Sequence, residues 1–253
     1  MTTPPTYVPG HALLAGKGVL ITAAAGTGIG AATARKCVEE GARVVISDKH
    51  ERRLAETALE LGVHGIACDV TNEDDVQRLV REAAIHLGGI DILVNNAGLG
   101  GSAQVHEMTD EQWSVVLDVT LTGTFRMTRA MLNHMYPRGS GVIVNNSSVL
   151  GWRAQVEQAH YAAAKAGVMA LTRATAMEAA AHGVRVNAVA PSIAMHAFLA
   201  KVTNDELLNE LSQREAFGRP AEPWEIANVI VFLASDYSSY MTGEVVSVSS
   251  QHA

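Results

Sequence analysis

The chain has 253 residues, of which 48% are hydrophobic, enough for one well-buried α/β domain. The formal net charge of −7 leaves no basic surface for a phosphate backbone, so nucleic acid is not an expected partner. Two cysteines, Cys37 and Cys68, predict neither a disulfide framework nor a thiolate metal site, and a cytoplasmic location is expected. No segment approaches the ~20 apolar residues of a membrane span, so no membrane association is expected.

Short β-branched runs alternate along the chain with longer segments of helical period, a pattern typical of a parallel sheet with crossover helices. The predicted strands are Gly18–Thr22, Arg43–Ser47, Gly65–Cys68, Ile90–Asn95, Gly141–Asn146, Val184–Ala190 and Val245–Val248. The predicted helices are Gly28–Glu40, Glu51–Leu61, Asn72–His86, Thr109–Tyr136, His160–His182, Asn204–Gln213 and Pro223–Ser235. The fold class is therefore α/β, a doubly wound, seven-stranded parallel sheet flanked by helices.

Two segments stand apart from this alternation. Residues 1–15 are expected to form a mobile N-terminal tail, and residues 16–253 a single catalytic domain. Residues 191–218, after the sixth strand, have no clear period. Ligands of open α/β sheets bind beyond the carboxyl ends of the strands, so this segment is a candidate substrate lid.

A glycine-rich turn joins the first strand to the first helix. Backbone N–H groups at a helix N-terminus attract pyrophosphate, and glycines let the phosphate approach. A tight turn formed for packing alone is the alternative, but the position between strand and helix favours a Rossmann-type dinucleotide site. The candidate residues of this turn are Ala24, Gly26, Thr27, Gly28, Ile29 and Gly30.

Asp48 lies 20 residues after Gly28, at the end of the second predicted strand. A carboxylate there accepts hydrogen bonds from the adenosine ribose hydroxyls and repels a 2′-phosphate, which favours NAD over NADP. Two alternatives stay open. In the first, Asp48 is a solvated turn residue; in the second, a 2′-phosphate is held by the neighbouring side chains of Lys49, His50, Arg52 and Arg53.

Tyr161 and Lys165 are four residues apart in a predicted helix, so their side chains lie on one face. A nearby ammonium lowers the pKa of a tyrosine from about 10 toward neutral pH, as a general acid/base requires. Such a pair, taken alone, is usually a surface feature.

Several further motifs occur in order around this pair. Ser148 lies 13 residues before Tyr161, and the other motifs are Asp69-Val70, Asn95-Asn96-Ala97-Gly98, Asn187-Ala188-Val189-Ala190-Pro191 and Glu222-Pro223-Trp224-Glu225. Together they resemble the short-chain dehydrogenase/reductase family from about residue 16 to residue 248. The resemblance implies a hydride transfer between NAD(P) and a secondary alcohol or ketone, in a homotetramer.

The resemblance also implies roles for residues. Tyr161 exchanges a proton with the substrate oxygen, Ser148 binds that oxygen, and Lys165 binds the nicotinamide ribose and tunes Tyr161. The further cofactor contacts that it implies are Asp69, Val70, Asn96, Ala97, Gly98, Pro191, Ile193 and Ala194.

The chain departs from the family pattern at four places. Ala24 replaces a glycine of the phosphate turn, which also carries one extra residue. Thr120 replaces the asparagine that supports a proton-relay water, so it is retained as a catalytic candidate. His196 replaces a threonine that contacts the carboxamide, in a segment that begins Pro191-Ser192. Ser249-Ser250-Gln251 replaces the terminal Asp-Gly-Gly.

These departures resemble an actinobacterial subgroup that degrades sterol-derived rings as coenzyme A thioesters, which implies a bulky, partly cyclic acyl-CoA substrate. The candidate substrate residues are Gly100, Gly101, Trp152, Arg153, Gln155 and His196. His160 is expected to have a packing or subunit-contact role. The histidines show no metal-ligand spacing, so no metal is expected.

Three other functions stay open. One is a 3-oxoacyl-thioester reductase of fatty-acid type, which usually prefers NADPH. The other two, from a different class, are a non-catalytic dinucleotide sensor and a structural subunit.

Overall fold

The computed structural model describes residues 6–195 and 210–250. Within them, seven parallel strands form one sheet in the order β3-β2-β1-β4-β5-β6-β7. The strands are β1 (Gly18–Ile21), β2 (Arg43–Asp48), β3 (His64–Ala67), β4 (Ile92–Asn95), β5 (Gly141–Asn146), β6 (Val184–Pro191) and β7 (Val245–Val248). The predicted α/β class, with a Rossmann-type parallel sheet, is confirmed.

Helices cover both faces of this sheet. They are α1 (Ile29–Glu39), α2 (Glu51–Leu61), α3 (Glu73–Leu87), α4 (Asp110–Leu117), α5 (Gly123–Met135), α6 (Ala159–Ala179) and α7 (Pro223–Ala234). Local chemistry sets several of their ends. The side chain of Asn72 accepts from two backbone N–H groups at the start of α3, and Thr109 forms a capping box with Gln112 at the start of α4.

The sheet has a hydrophobic core on each face, because successive strand residues point to opposite sides. Leu20 of β1 packs into the core beneath α3, α5 and α6, whereas its neighbours Val19 and Ile21 pack beneath α1, α2 and α7. Both faces of the central strands are therefore buried, as expected for an all-parallel sheet.

The prediction of one continuous helix, Thr109–Tyr136, is wrong. A π-helical turn, Asp118–Thr122, separates α4 from α5, and a 3-10 turn, Tyr136–Arg138, follows α5. The hydroxyl of Thr124 donates to the Thr120 carbonyl at 2.7 Å within this irregular region. A π turn leaves the apolar pattern nearly intact, so hydrophobic period alone does not reveal it. Helix α6 likewise ends at Ala179, before a further 3-10 turn, Ala180–His182.

The described part of the predicted tail contacts α1. The hydroxyl of Tyr7 donates to the carboxylate of Glu39, and the backbone N–H groups of His11 and Leu13 donate to the carboxylate of Glu40. Tyr7 also packs edge-on against Trp224 at the start of α7. The boundary between tail and domain, and the mobility of the tail, stay predictions.

The predicted lid, residues 191–218, is only partly described. Ala194 pairs with Ala221 in an isolated bridge, and the backbone N–H of Ala216 donates to the Ser250 carbonyl at 2.6 Å. His196 and most of the predicted helix Asn204–Gln213 lie outside the described residues; residues 210–213 are helical. Over the described residues, no helix combines the length and apolar character needed to cross a bilayer.

Candidate active site

The carboxyl ends of β1, β4 and β5 meet at one edge of the sheet. The sheet order reverses between β1 and β4, and the crevice at such a reversal is where ligands of doubly wound folds bind. The glycine-rich turn follows β1, Asn96 follows β4, and Ser148 follows β5. Helix α6 supplies two further side chains, Tyr161 and Lys165, beside this edge.

Ser148, Tyr161 and Lys165 come together as predicted. Ser148 is buried at the start of the 3-10 turn Val149–Gly151, and its side chain is hydrogen-bonded to Tyr161. The ammonium of Lys165 lies 5.5 Å from the centroid of the Tyr161 ring. The arrangement places a phenol between a hydroxyl and a cation, which suits a group that exchanges a proton with a substrate oxygen.

The direction predicted for the Tyr161 pKa is wrong in this structure. Burial raises the pKa of the phenol above its ordinary value of 10, and the hydrogen bond with Ser148 lowers it by less. The phenol is therefore protonated at neutral pH. That is the form that a proton donor to a ketone oxygen requires.

Lys165 is fully buried, and burial lowers the pKa of its ammonium from 10.5 to about 8. Its Nζ donates a hydrogen bond to the Asn146 carbonyl at 2.6 Å. It also faces Gly98, where a Cβ would lie 3.3 Å from Nζ. The backbone after β4 thus lies close to the ammonium of Lys165. A glycine at position 98 keeps the space between them free of a side chain.

Asn146 joins the catalytic candidates to the phosphate turn, and sequence reasoning missed it. Its amide donates to the side-chain oxygen of Asn96 at 2.9 Å, and the Asn96 amide donates to the Ala23 carbonyl at 2.8 Å. The backbone N–H of Asn96 donates to the Thr22 hydroxyl at 3.0 Å. Two adjacent polar residues at the end of a buried strand, Asn145-Asn146, are the sequence signal that would have revealed this network.

Thr120 holds the loop after β4. Its buried hydroxyl accepts from the Leu99 N–H at 3.0 Å and donates to the Leu99 carbonyl at 3.3 Å. A hydroxyl has one proton to donate, and Leu99 receives it. The described contacts of Thr120 are therefore structural, and its place in a proton relay stays a prediction.

Replacing Thr120 with Val should detach Leu99 from the π turn. We expect kcat/KM to fall about tenfold, because two hydrogen bonds worth roughly 1 kcal/mol each are lost and the loop next to Tyr161 loosens. Thr120→Ser keeps the hydroxyl and should retain most of the activity. Steady-state kinetics with NADH measures both variants, and equal kinetics for Val and Ser would contradict this role.

The turn after β1 fits a dinucleotide pyrophosphate. A Cβ at Gly30 would lie 2.5 Å from the Ala23 carbonyl oxygen, so only glycine lets α1 pack this close to the strand end. Gly26 has a φ of +94°, in the region that favours glycine. Helix α1 begins after Gly28 without a side-chain cap or an acidic residue in its first turn, which leaves its positive end suited to an anion.

The other predicted residues of this turn lie beside it. Ala24 is buried, and Thr27 and Ile29 continue the backbone around Gly28. Thr57 of α2 was not predicted, yet its hydroxyl accepts from the Gly26 N–H at 3.0 Å. The phosphate turn is thus tied to the neighbouring helix α2.

Asp48 ends β2 next to the same turn. Its carboxylate accepts hydrogen bonds from the backbone N–H groups of Ala25, at 3.3 Å, and His50, at 2.9 Å. The guanidinium of Arg53 lies 3.9 Å from it. The carboxylate therefore lies next to the phosphate turn, and the neighbouring arginine is paired with it.

The remaining cofactor candidates lie along the same edge. The Asp69 carboxylate accepts hydrogen bonds from the backbone N–H and the hydroxyl of Thr71. Val70 is buried against Gly123, where an added Cβ would lie 2.7 Å from Val70 Cγ2. Ala97 donates its N–H to Thr22. The candidates after β6 are Pro191, at its end, and Ile193 and Ala194, which pair with residue 221.

The candidate substrate residues that the structure describes lie in the loops after β4 and β5. Gly100 and Gly101 are exposed, and a Cβ on Gly100 would lie 3.9 Å from the Tyr161 ring. Trp152 is 51% exposed, and Arg153 and Gln155 are partly buried. His160 is buried as expected for a packing residue.

Among the described residues, no three His, Cys, Asp or Glu side chains cluster as a metal site would require; the absence of a metal stays a prediction.

Comparisons with known proteins agree with this geometry. Residues 23–250 match the family model described as Enoyl-(Acyl carrier protein) reductase. The chain is 60% identical to (5R,7aS)-5-hydroxy-7a-methyl-1-oxo-2,3,5,6,7,7a-hexahydro-1H-indene-carboxyl-CoA reductase of Mycobacterium tuberculosis, covering 100% of this chain and 99% of that one. It is 42% identical to cis-4-hydroxycyclohexanecarboxylate dehydrogenase of Sinomonas cyclohexanicum, covering 91% and 94%.

A solved structure extends the comparison to the whole fold. The chain superposes on a short chain dehydrogenase from Mycobacterium smegmatis with a TM-score of 0.89 and 56% identity, covering 99% of each chain. These matches span nearly the full length, and the assembled Ser148, Tyr161 and Lys165 lie in the matched region. The chain therefore belongs to the short-chain dehydrogenase/reductase family, and it is an NAD(P)-type oxidoreductase that acts on CH–OH groups.

Proposed function

We propose that this enzyme reduces the ring ketone of a bulky, partly cyclic acyl-CoA derived from a steroid, with NADH as the hydride donor. The observation that carries the proposal is the full-length similarity to the mycobacterial hexahydroindene-carboxyl-CoA reductase. The exposed Gly100 beside Tyr161 supports it, because a residue without a side chain leaves room there for a wide ring.

The proposed roles of the side chains follow from their contacts. The bound nicotinamide supplies the hydride. Tyr161, kept protonated by its burial, donates its phenolic proton to the substrate oxygen. Ser148 donates a hydrogen bond to that same oxygen, and so holds it within reach of the phenol. Lys165, held by the Asn146 carbonyl, binds the nicotinamide ribose and stabilises the phenolate left after the proton has moved.

A panel of ketones tests the substrate class. We expect NADH oxidation with a bicyclic ketoacyl-CoA to have a kcat/KM at least ~10-fold above that with acetoacetyl-CoA, because pocket shape is what discriminates such substrates. The free acid of the bicyclic ketone separates recognition of the ring from recognition of CoA. Faster reduction of the straight chain with NADPH would instead identify a fatty-acid type reductase, and dinucleotide binding without any turnover would identify a sensor.

NAD is proposed over NADP because of Asp48. Asp48→Ser should raise the ratio of kcat/KM for NADPH to that for NADH at least ~10-fold, since the repulsion of the 2′-phosphate is removed and Arg53 is released from its partner. Glu56→Gln removes a neighbouring exposed carboxylate of α2 and should leave the ratio unchanged. An unchanged ratio in Asp48→Ser would contradict the proposed selectivity.

A cytoplasmic homotetramer is the proposed setting of the reaction. Cys37 and Cys68 are both free, as in a reducing compartment. Large apolar side chains are exposed on helices α4, α5 and α6, and they include Trp113, Val115, Phe125 and Met177. Exposed apolar residues grouped on neighbouring helices are typical of a subunit interface. Light scattering in solution measures the mass of the assembly.

A further inference from the structure

Two loops that flank Tyr161 are hydrogen-bonded to each other. Residues 99–103 follow β4, and residues 157–160 span the start of α6. We name the contacts between these two segments the clasp. The Gln158 amide donates to the Gly101 carbonyl at 2.7 Å, and the Ala103 N–H donates to the Glu157 carbonyl at 3.1 Å. The Ser102 hydroxyl also donates to the Glu157 carboxylate. These bonds connect the open side of Tyr161 to the segment that carries it.

The backbone of the clasp is held in an unfavourable conformation. Glu157 has a φ of +65°, in the left-handed region that residues with a side chain seldom adopt. Such a conformation persists where surrounding contacts impose it, and such residues cluster at functional sites. The contacts of Glu157 to Ser102 and Ala103 are the ones that impose it here.

The buried side chain of His160 lies against Gly101, one of the residues of the clasp. Its side chain is 1% exposed, and a Cβ on Gly101 would lie 2.9 Å from its Nε2, which is closer than real Cβ atoms come. Its Nδ1 is buried without a hydrogen-bond partner in the described part of the chain. The imidazole therefore fills the space into which a side chain at position 101 would project.

We infer that His160 is a positioning residue that sets the substrate specificity of the reaction through Gly101. The imidazole fixes how close residues 99–103 lie to Tyr161, while Thr120 fixes the other end of the same loop through Leu99. Gly100, between these two points, lies beside the Tyr161 ring. The clasp therefore holds Gly100 at a fixed distance from the Tyr161 ring. A rigid ring ketone requires a binding surface of fixed shape, whereas a flexible straight chain does not.

A double-mutant cycle tests this inference, which rests on the proposed role of Tyr161. The variants are Gly101→Ala, His160→Ala and the double variant, with bicyclic ketoacyl-CoA and acetoacetyl-CoA as probes. Gly101→Ala should raise KM for the bicyclic probe at least ~10-fold and change kcat less than ~3-fold, because it disturbs binding and not proton transfer. In the His160→Ala background, the same glycine change should have less than a ~3-fold effect, since the clash is gone. Acetoacetyl-CoA should respond less to every variant.

Controls separate specificity from stability. Gly65→Ala in β3 places a Cβ 3.1 Å from Leu54 Cγ, a comparable crowding far from the site, and should leave both probes unaffected. NADH binding and thermal melting report whether each variant folds, and His160→Asn replaces His160→Ala if the latter does not. Equal effects of Gly101→Ala in both backgrounds, or on both probes, would overturn the inference. Full activity of Tyr161→Phe would instead refute the proposed catalysis, so the two failures are distinguishable.

Discussion

Replacing Tyr161 with Phe is expected to lower turnover at least ~100-fold while NADH binding is retained, because the phenolic proton is the one donated to the substrate oxygen. The ring itself stays, so its contacts with Gly100 and Lys165 persist. Stopped-flow measurement of NADH oxidation gives the rate, and quenching of protein fluorescence gives the affinity for NADH.

Tyr136→Phe is the matched control. Tyr136 lies in the 3-10 turn after α5, stacked on His182 and away from the crevice, so removing its hydroxyl should not change turnover. Turnover of Tyr161→Phe within a few-fold of the unmodified enzyme would refute the mechanism. Loss of NADH binding in that variant would show that the phenol acts on the cofactor and not on the substrate oxygen.

Replacing Lys165 with Met is expected to lower turnover about 10³-fold and to weaken NADH binding, because the cation that stabilises the phenolate and binds the ribose is removed. Met has nearly the same length and packs in the same buried channel. The same kinetic and binding measurements apply, and retention of both turnover and affinity would contradict the proposed role of the ammonium.

The difference in stability between Lys165→Met and the unmodified enzyme should depend on pH, because only the unmodified enzyme carries the titrating lysine. The pKa of Lys165 is about 8 in the folded enzyme and 10.5 when unperturbed, so below pH 8 folding buries a charged group at a cost. That cost, at most about 3 kcal/mol, is removed as pH rises from 8 to 10.5. Lys165→Met should therefore be more stable than the unmodified enzyme at pH 7, by less than the full cost because the Asn146 carbonyl loses its donor.

Denaturant unfolding at a series of pH values measures the difference in free energy of unfolding. We expect the advantage of Lys165→Met to shrink as pH rises through that interval. Exposed Lys17 provides the control, because Lys17→Met should show no such trend. A difference that stays constant from pH 7 to pH 10 would show that Lys165 carries no penalty for burial.

The sequence predicted some elements to the residue and misjudged others, and the reason differs between them. Strands β5 and β7 and helix α2 have their predicted bounds, because β-branched runs and an amphipathic period are local properties. The long helix through Thr120 is interrupted by a π turn that joins it to the loop after β4. Contacts between segments distant in the chain decided that interruption.

By itself, the amino-acid sequence determined the parallel α/β fold, and it predicted that Ser148, Tyr161 and Lys165 come together, since period and motif spacing are properties of the linear chain. Only the tertiary structure decided the direction of the Tyr161 pKa, because burial depends on what packs around the phenol. It also decided that Asn146 holds Lys165 and that His160 lies against Gly101. Those contacts join residues brought together by the sheet, and no spacing in the sequence encodes them.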